Sequence, residues 1–208
     1  MRMTGQGAAA EDTDGWATLN RFDRPRASSV AVTPKVALAP PSMGTGIEGL
    51  RKLIRFAESH RDGYNAIHHS AKRRPVKTPT EMTIGEILAW IDATPGQHHA
   101  IGQYQIIPTT LKRLIAKTGL PPTTKFSPKV QDFLGDMLIL EAGYREFKSG
   151  QLPAAKFMDG LGKIWAGLPM ANGRSAYHGK AGNRATITRA QFDAQMRQIF
   201  SVEAPTKS

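Results

Sequence analysis

The chain has no cysteine, which excludes a disulfide framework, thiolate catalysis and cysteine-ligated metal. It has no apolar run near the roughly eighteen residues that a membrane-spanning helix needs. The longest weakly apolar stretch, residues 30–41, is broken by Pro34, Lys35 and Pro40 and makes a poor signal-peptide core. Acidic residues are also few, 17 Asp and Glu against 28 Lys and Arg, for a net charge of +11. Such an excess fits a polyanionic partner: nucleic acid, an anionic membrane surface or an acidic cell-wall polymer. The acid shortage is uneven. Residues 63–80 and 93–131 contain no Asp or Glu at all, which limits any mechanism that needs two carboxylates.

What is present is helical pattern. The length of 208 residues and 40% hydrophobic content suffice for one domain with a real core plus a tail. Residues 1–43, rich in Gly, Ala, Ser, Thr and Pro and without periodicity, read as a disordered leader. The domain spans 44–202, and residues 203–208 fray. Six helices are expected. The first carries Ile47, Leu50, Ile54 and Ala57 at helical spacing, with a capping box at Thr45 and Glu48 and Gly63 as its left-handed stop. A second box at Thr83 and Glu86 opens the next. Pro108 and Gly119 bracket a third, and Ser127-Pro128 begins a fourth that runs to about Tyr144. Residues 153–165 form a fifth, and Thr188 with Gln191 starts the last. Residues 64–82 read as a loop or short hairpin, 97–107 as a loop or short strand, and 170–184 as a Gly- and Asn-rich loop.

The candidate for chemistry is Glu58, four residues beyond Ile54 on the edge of the apolar stripe and in the helix's last turn. A carboxylate drawn into an apolar surface loses hydration and holds its proton to higher pH. The negative end of the helix dipole pushes the same way. That environment suits a general acid. A second carboxylate could come only from Asp62, Glu81, Glu86 or Asp92 unless it lies far off in sequence, so the site reads as a one-acid site. Six histidines include the pairs His68-His69 and His98-His99, besides His60 and His178, but no metal-ligand spacing appears. No metal or organic cofactor is expected. Residues 100–106 place Gln103 and Gln105 on either side of Tyr104, just after Gly102. Amides and a phenol suit a neutral, hydroxyl- and acetamido-rich ligand such as a sugar.

These motifs, taken in order, carry a resemblance. Glu58-Ser59, Tyr64-Asn65-Ala66-Ile67 and Gly102-Gln103-Tyr104-Gln105-Ile106 resemble the lysozyme-like superfamily of peptidoglycan-cleaving enzymes. The likeness is to the branch containing the bacteriophage lambda endolysin and related phage and bacterial muramidases. The stretches 82–88, Phe126-Ser127-Pro128 with Gln131-Asp132, 164–169, and 173–183 with Ser175, Tyr177 and Gly179 match further. The resemblance implies an α+β, predominantly α-helical, lysozyme-like fold with a small loop or hairpin region beside an active-site cleft. It implies Glu58 as catalytic acid, and Ser59, Tyr64, Asn65, Gln103, Tyr104, Gln105 and Tyr177 as substrate-binding residues. Trp165 is expected in the core, with an edge that reaches the groove as the other reading. Gln103 stands where related sequences often have Arg, and His98-His99 where a small residue is usual. The implied activity is cleavage between N-acetylmuramic acid and N-acetylglucosamine by a monomer, in the periplasm or outside the cell. The missing second acid favours lytic transglycosylation; hydrolysis with a second acid and water is the alternative, and a catalytically inactive wall-binding or assembly component is another. A nucleic-acid-binding domain is a rival for the charge, with Lys72-Arg73-Arg74 as its strongest feature, but no recognition-helix motif and no basic–aromatic interleaving accompany it.

Overall fold

Capping residues and prolines set most of the helix starts. The computed structural model describes residues 43–59, 61–180 and 183–201. Its helices are α1 (Gly46–Glu58), α2 (Ile84–Ala93), α3 (Pro108–Thr118), α4 (Pro128–Glu141), α5 (Tyr144–Lys148), α6 (Ala154–Ile164) and α7 (Arg189–Ile199). The expected boxes form at Thr83 with Glu86 and at Thr188 with Gln191. Pro108 opens α3, and Gly119, at φ +67°, closes it in the left-handed conformation that lacks a Cβ penalty. Residues 1–42 and 203–208, which hold most of the expected leader and the expected tail, lie outside the described residues, as does His60. Met43, assigned to the leader, is instead buried with the core.

Three expectations change. Thr45 is the N-cap of α1 but makes no side-chain cap bond, and the Glu48 side chain, expected to complete the box, instead meets Arg51 at 3.2 Å. Gly63 is left-handed, yet α1 has already ended at Glu58 with Ser59 as C-cap, and Gly63 instead opens a 3₁₀ turn over Gly63–Asn65. The fourth helix ends at Glu141, near the expected Tyr144, and after Gly143 at φ +100° a further short helix, α5, follows that was not expected.

The domain is predominantly helical. No strand forms among the described residues; isolated bridges join Ile67 to Ile101, Ile101 to Ile106, and Thr83 to Lys125. The β part of the expected α+β class thus shrinks to single pairings. Residues 64–82 are a loop with 3₁₀ turns, where Pro75 and Pro79 withhold the donors a hairpin ladder needs.

The core gathers Leu50, Leu53, Ile54 and Ala57 of α1 with residues from every longer helix. Gly49 lets α1 approach α7: a Cβ there would stand 3.0 Å from Ile199 Cγ1 and 2.7 Å from the Gly44 carbonyl oxygen. Phe147, Phe157 and Phe200 pack as rings, with Phe147 stacked on Phe157 at 4.7 Å. In the middle of α4, Gly135 is the floor under Tyr104. A Cβ at Gly135 would lie 2.6 Å from the Tyr104 ring, closer than real atoms pack.

That close approach generates a test. Gly135→Ala should lower unfolding free energy by about 1–3 kcal/mol, because a filled core resists an added methyl more than the helix gains from losing a glycine. Urea unfolding measures it; an unchanged or raised stability would mean that Tyr104 does not rest on Gly135.

Candidate active site

Glu58 closes α1 and is half-buried. Its Oε1 accepts a 2.7 Å hydrogen bond from the Gly167 backbone N–H. Burial raises the carboxyl from 4.5 to about 7, and the Gly167 N–H, which favours the charged form, opposes the rise. Position at the negative end of α1 adds in the direction of burial. Gly167 has little freedom: a Cβ there would stand 2.5 Å from the Ala57 carbonyl oxygen and 3.0 Å from Glu58 Oε1. Thr186 secures the same corner. Its hydroxyl donates to the Ala57 carbonyl at 3.0 Å and to that of Gly167 at 3.2 Å.

The neighbouring wall is held by a buried polar node. Ser59 Oγ donates to the Gln103 carbonyl at 2.7 Å, tying the residue after Glu58 to the 102–105 turn. Gln131, fully buried, accepts the Gln103 N–H at 2.9 Å and donates to the carbonyls of Tyr64 and Phe126. Asp132 accepts the hydroxyls of Tyr64 at 2.9 Å and Tyr104 at 2.8 Å. Arg51 of α1 pairs with Asp136, Nε to Oδ1 at 2.8 Å, and approaches Asp132 at 3.8 Å. Burial first and Asp132 second raise both phenols, so both remain protonated donors; the Gln103 side chain pulls the other way. Gly102 fits only without a side chain, since a Cβ would meet Gln131 Oε1 at 2.3 Å. Gln105 adopts φ +45°, a strained conformation for a residue with a Cβ, and its Nε2 bonds back to the Gly102 carbonyl at 2.9 Å.

This geometry sorts the sequence-predicted residues. Ser59, Gln103 and Tyr104 are buried and bonded inward. Ser59 Oγ, the Gln103 backbone and the Tyr104 hydroxyl are thus bonded to the protein. Trp165 is buried too and donates to the Tyr104 carbonyl at 3.1 Å. Tyr64 and Gln105 are half-buried at the edge of the node. Asn65 is exposed, but its Oδ1 accepts from the N–H and hydroxyl of Thr80, fastening the 64–82 loop. Tyr177 keeps an exposed ring while its hydroxyl donates to the Lys163 carbonyl at the end of α6. Gly167, Thr186, Gln131, Asp132 and Arg51 had no role assigned from sequence. Gln131, Asp132 and Gly167 left a trace only as members of the matching stretches 126–132 and 164–169.

The second carboxylate is narrowed as well. Glu81 is exposed and caps Thr78, Glu86 caps Thr83 and meets Lys77, and Asp92 sits on the surface near Lys112. Asp62 is exposed at the 3₁₀ turn and makes no side-chain cap bond. The histidines stack on one another, His68 4.5 Å from both His69 and His98. Burial and then its two neighbours lower His68 to about 4. His99 is a structural residue, 2.7 Å from Thr94 Oγ1 and edge-on to Trp90. Among the described residues no group of three or more His, Asp or Glu is arranged to hold a metal ion.

The shifted carboxyl has a stability consequence. The fold holds the Glu58 proton more tightly than the unfolded chain, so this group's contribution is fully present below pH 4.5 and is lost as pH rises to about 7. Glu58→Gln keeps an acceptor for the Gly167 N–H without the titration. Relative to wild type it should gain up to about 3 kcal/mol between pH 4.5 and pH 8, read by urea unfolding at both pH values. An equal difference at the two pH values would mean that the Glu58 carboxyl is not shifted.

Compared with protein-family models, curated proteins and solved structures, the chain matches none.

Proposed function

We propose that the chain is a lysozyme-like, peptidoglycan-cleaving muramidase that acts as a lytic transglycosylase with Glu58 as its acid. The observation that carries this reading is the state of Glu58: a carboxyl at a helix end, raised to about 7 by burial and held by one backbone N–H. At neutral pH it keeps a large protonated fraction, which a general acid for a glycosidic oxygen needs. Motif order along the chain and a predominantly helical domain support the same reading.

In the proposed reaction Glu58 gives its proton to the oxygen between N-acetylmuramic acid and N-acetylglucosamine, and the bond to the muramic C1 breaks through an oxocarbenium-like state. The Gly167 N–H steadies the carboxylate that remains. The C6 hydroxyl of the same muramic residue then attacks C1, and Glu58 takes back its proton. The products are a free 4-hydroxyl on one side and a 1,6-anhydro-muramic end on the other, with no water consumed. Three of the four sequence-near acids are capping or surface-paired, which favours this route over hydrolysis. Asp62 is the one whose position leaves hydrolysis a candidate. No described helix is long and apolar enough to cross a membrane, and a peptidoglycan substrate assigns the work to the periplasm or the cell exterior.

Mass spectrometry of soluble products from purified peptidoglycan tests the reading. The intact chain should release fragments ending in 1,6-anhydro-muramic acid, and Glu58→Gln should lower release by about 10²-fold or more, as loss of a general acid does. Reducing-end products would replace transglycosylation with hydrolysis. No release by the intact chain, or undiminished release by Glu58→Gln, would overturn the proposal.

A further inference from the structure

A groove of about 380 Å³ lies beside the Glu58 corner, lined by Arg174, His178, Arg184, Thr186, Thr188 and Arg189 among others. No carboxylate is among its lining residues. The three arginines are not equivalent. Arg189 is half-buried and spent, 3.0 Å from Asp159 and 3.3 Å from Asp193. Arg174 and Arg184 are exposed, and among the described residues neither guanidinium has an ion-pair partner. Two uncommitted guanidiniums thus face one concavity with an exposed imidazole between them in sequence.

The groove and the acid share a residue. Thr186 lines the groove, and its hydroxyl is bonded to the carbonyls of Ala57 and Gly167, the residue before Glu58 and the residue that donates to it. The groove therefore adjoins the backbone corner that carries Glu58. The glycan itself is neutral at its hydroxyls and acetamido groups and gives no reason for free cations. The acidic part of peptidoglycan is the peptide stem, which begins on the lactyl group of muramic acid, the sugar whose C1 is cleaved. Guanidinium matches carboxylate in shape and charge and can take it through two parallel hydrogen bonds. A nucleic acid fits less well, since duplex binding draws on many phosphate contacts along a continuous basic track.

We infer that the groove is a subsite for the carboxylates of the peptide stem, with Arg174 and Arg184 as its binding residues. The inference rests on the muramidase reading. It makes the enzyme selective for stem-bearing glycan over bare glycan by binding and not by chemistry.

The test uses the full chain on soluble glycan strands with stems and on the same strands after an amidase removes the stems and the lactyl carboxylates it frees are capped as methylamides. Wild type should show a lower KM on stemmed strands. The double variant R174A/R184A should raise KM on stemmed strands about three- to tenfold, the range for two solvent-facing charge contacts, with kcat within about twofold. Its KM on bare strands should stay unchanged. K125A/K129A, which removes the same charge elsewhere on the surface, should leave both KM values near wild type. An equal rise on both substrates, no rise on either, or the same rise in K125A/K129A would overturn the subsite. Duplex DNA that competes with stemmed strands at about 0.15 M salt for wild type and not for R174A/R184A would assign the groove to nucleic acid and overturn it too. Cleavage of neither substrate by wild type would instead bring down the muramidase reading and the subsite together.

Discussion

One carboxylate withdrawn from water is what the surrounding structure serves. Glu58 has lost much of its hydration at the end of α1, and a single backbone N–H, from Gly167, meets its Oε1 at 2.7 Å. Loss of hydration favours the proton and the N–H favours the charge, and burial wins, leaving the group near 7. A carboxyl poised there can both give and retake a proton at neutral pH. The fold bears a cost for this at alkaline pH, where the buried group must ionise.

That poise depends on a wall that cannot drift. Ser59 fastens the residue after Glu58 to the 102–105 turn, and Gln131 holds that turn from below with all three of its hydrogen bonds made inside the protein. Asp132 gathers two phenols and lies near Arg51, so α1, the 3₁₀ turn at Gly63–Asn65, the 102–105 turn and α4 meet at one side chain. A partly satisfied node of this kind would be worse than an apolar one. Here Tyr64, Tyr104, Gln131 and Asp132 all have partners. Tyr104 is consequently buried and fixed by Asp132 and by Gly135 beneath its ring.

Helix starts were the most legible feature of the sequence, because caps are local. Thr83 with Glu86, Thr188 with Gln191, Pro108 and Gly119 act within four residues of the elements they bound, and the structure uses each as read. At Thr45 the box does not form, and the Glu48 side chain pairs with Arg51 on the same helix. The short α5 after Gly143 has no side-chain cap to announce it. Glu58 was legible from its place on the apolar stripe. Its surroundings were not, since Gly167 is 109 residues away in sequence and Asp132 reaches Tyr64 across 68. The burial of Tyr104 and Gln103 was hidden for the same reason: the glycine that seats the Tyr104 ring belongs to α4, far along the chain.

The measurement that bears most directly on this account is the ¹³C-NMR titration of the Glu58 side-chain carboxyl in the intact chain, assigned by comparison with Glu58→Gln. A midpoint near 7, well above the ordinary 4.5, is the expected result. A midpoint at about 4.5 would show a solvated carboxylate, already ionised at neutral pH and unable to serve as the acid.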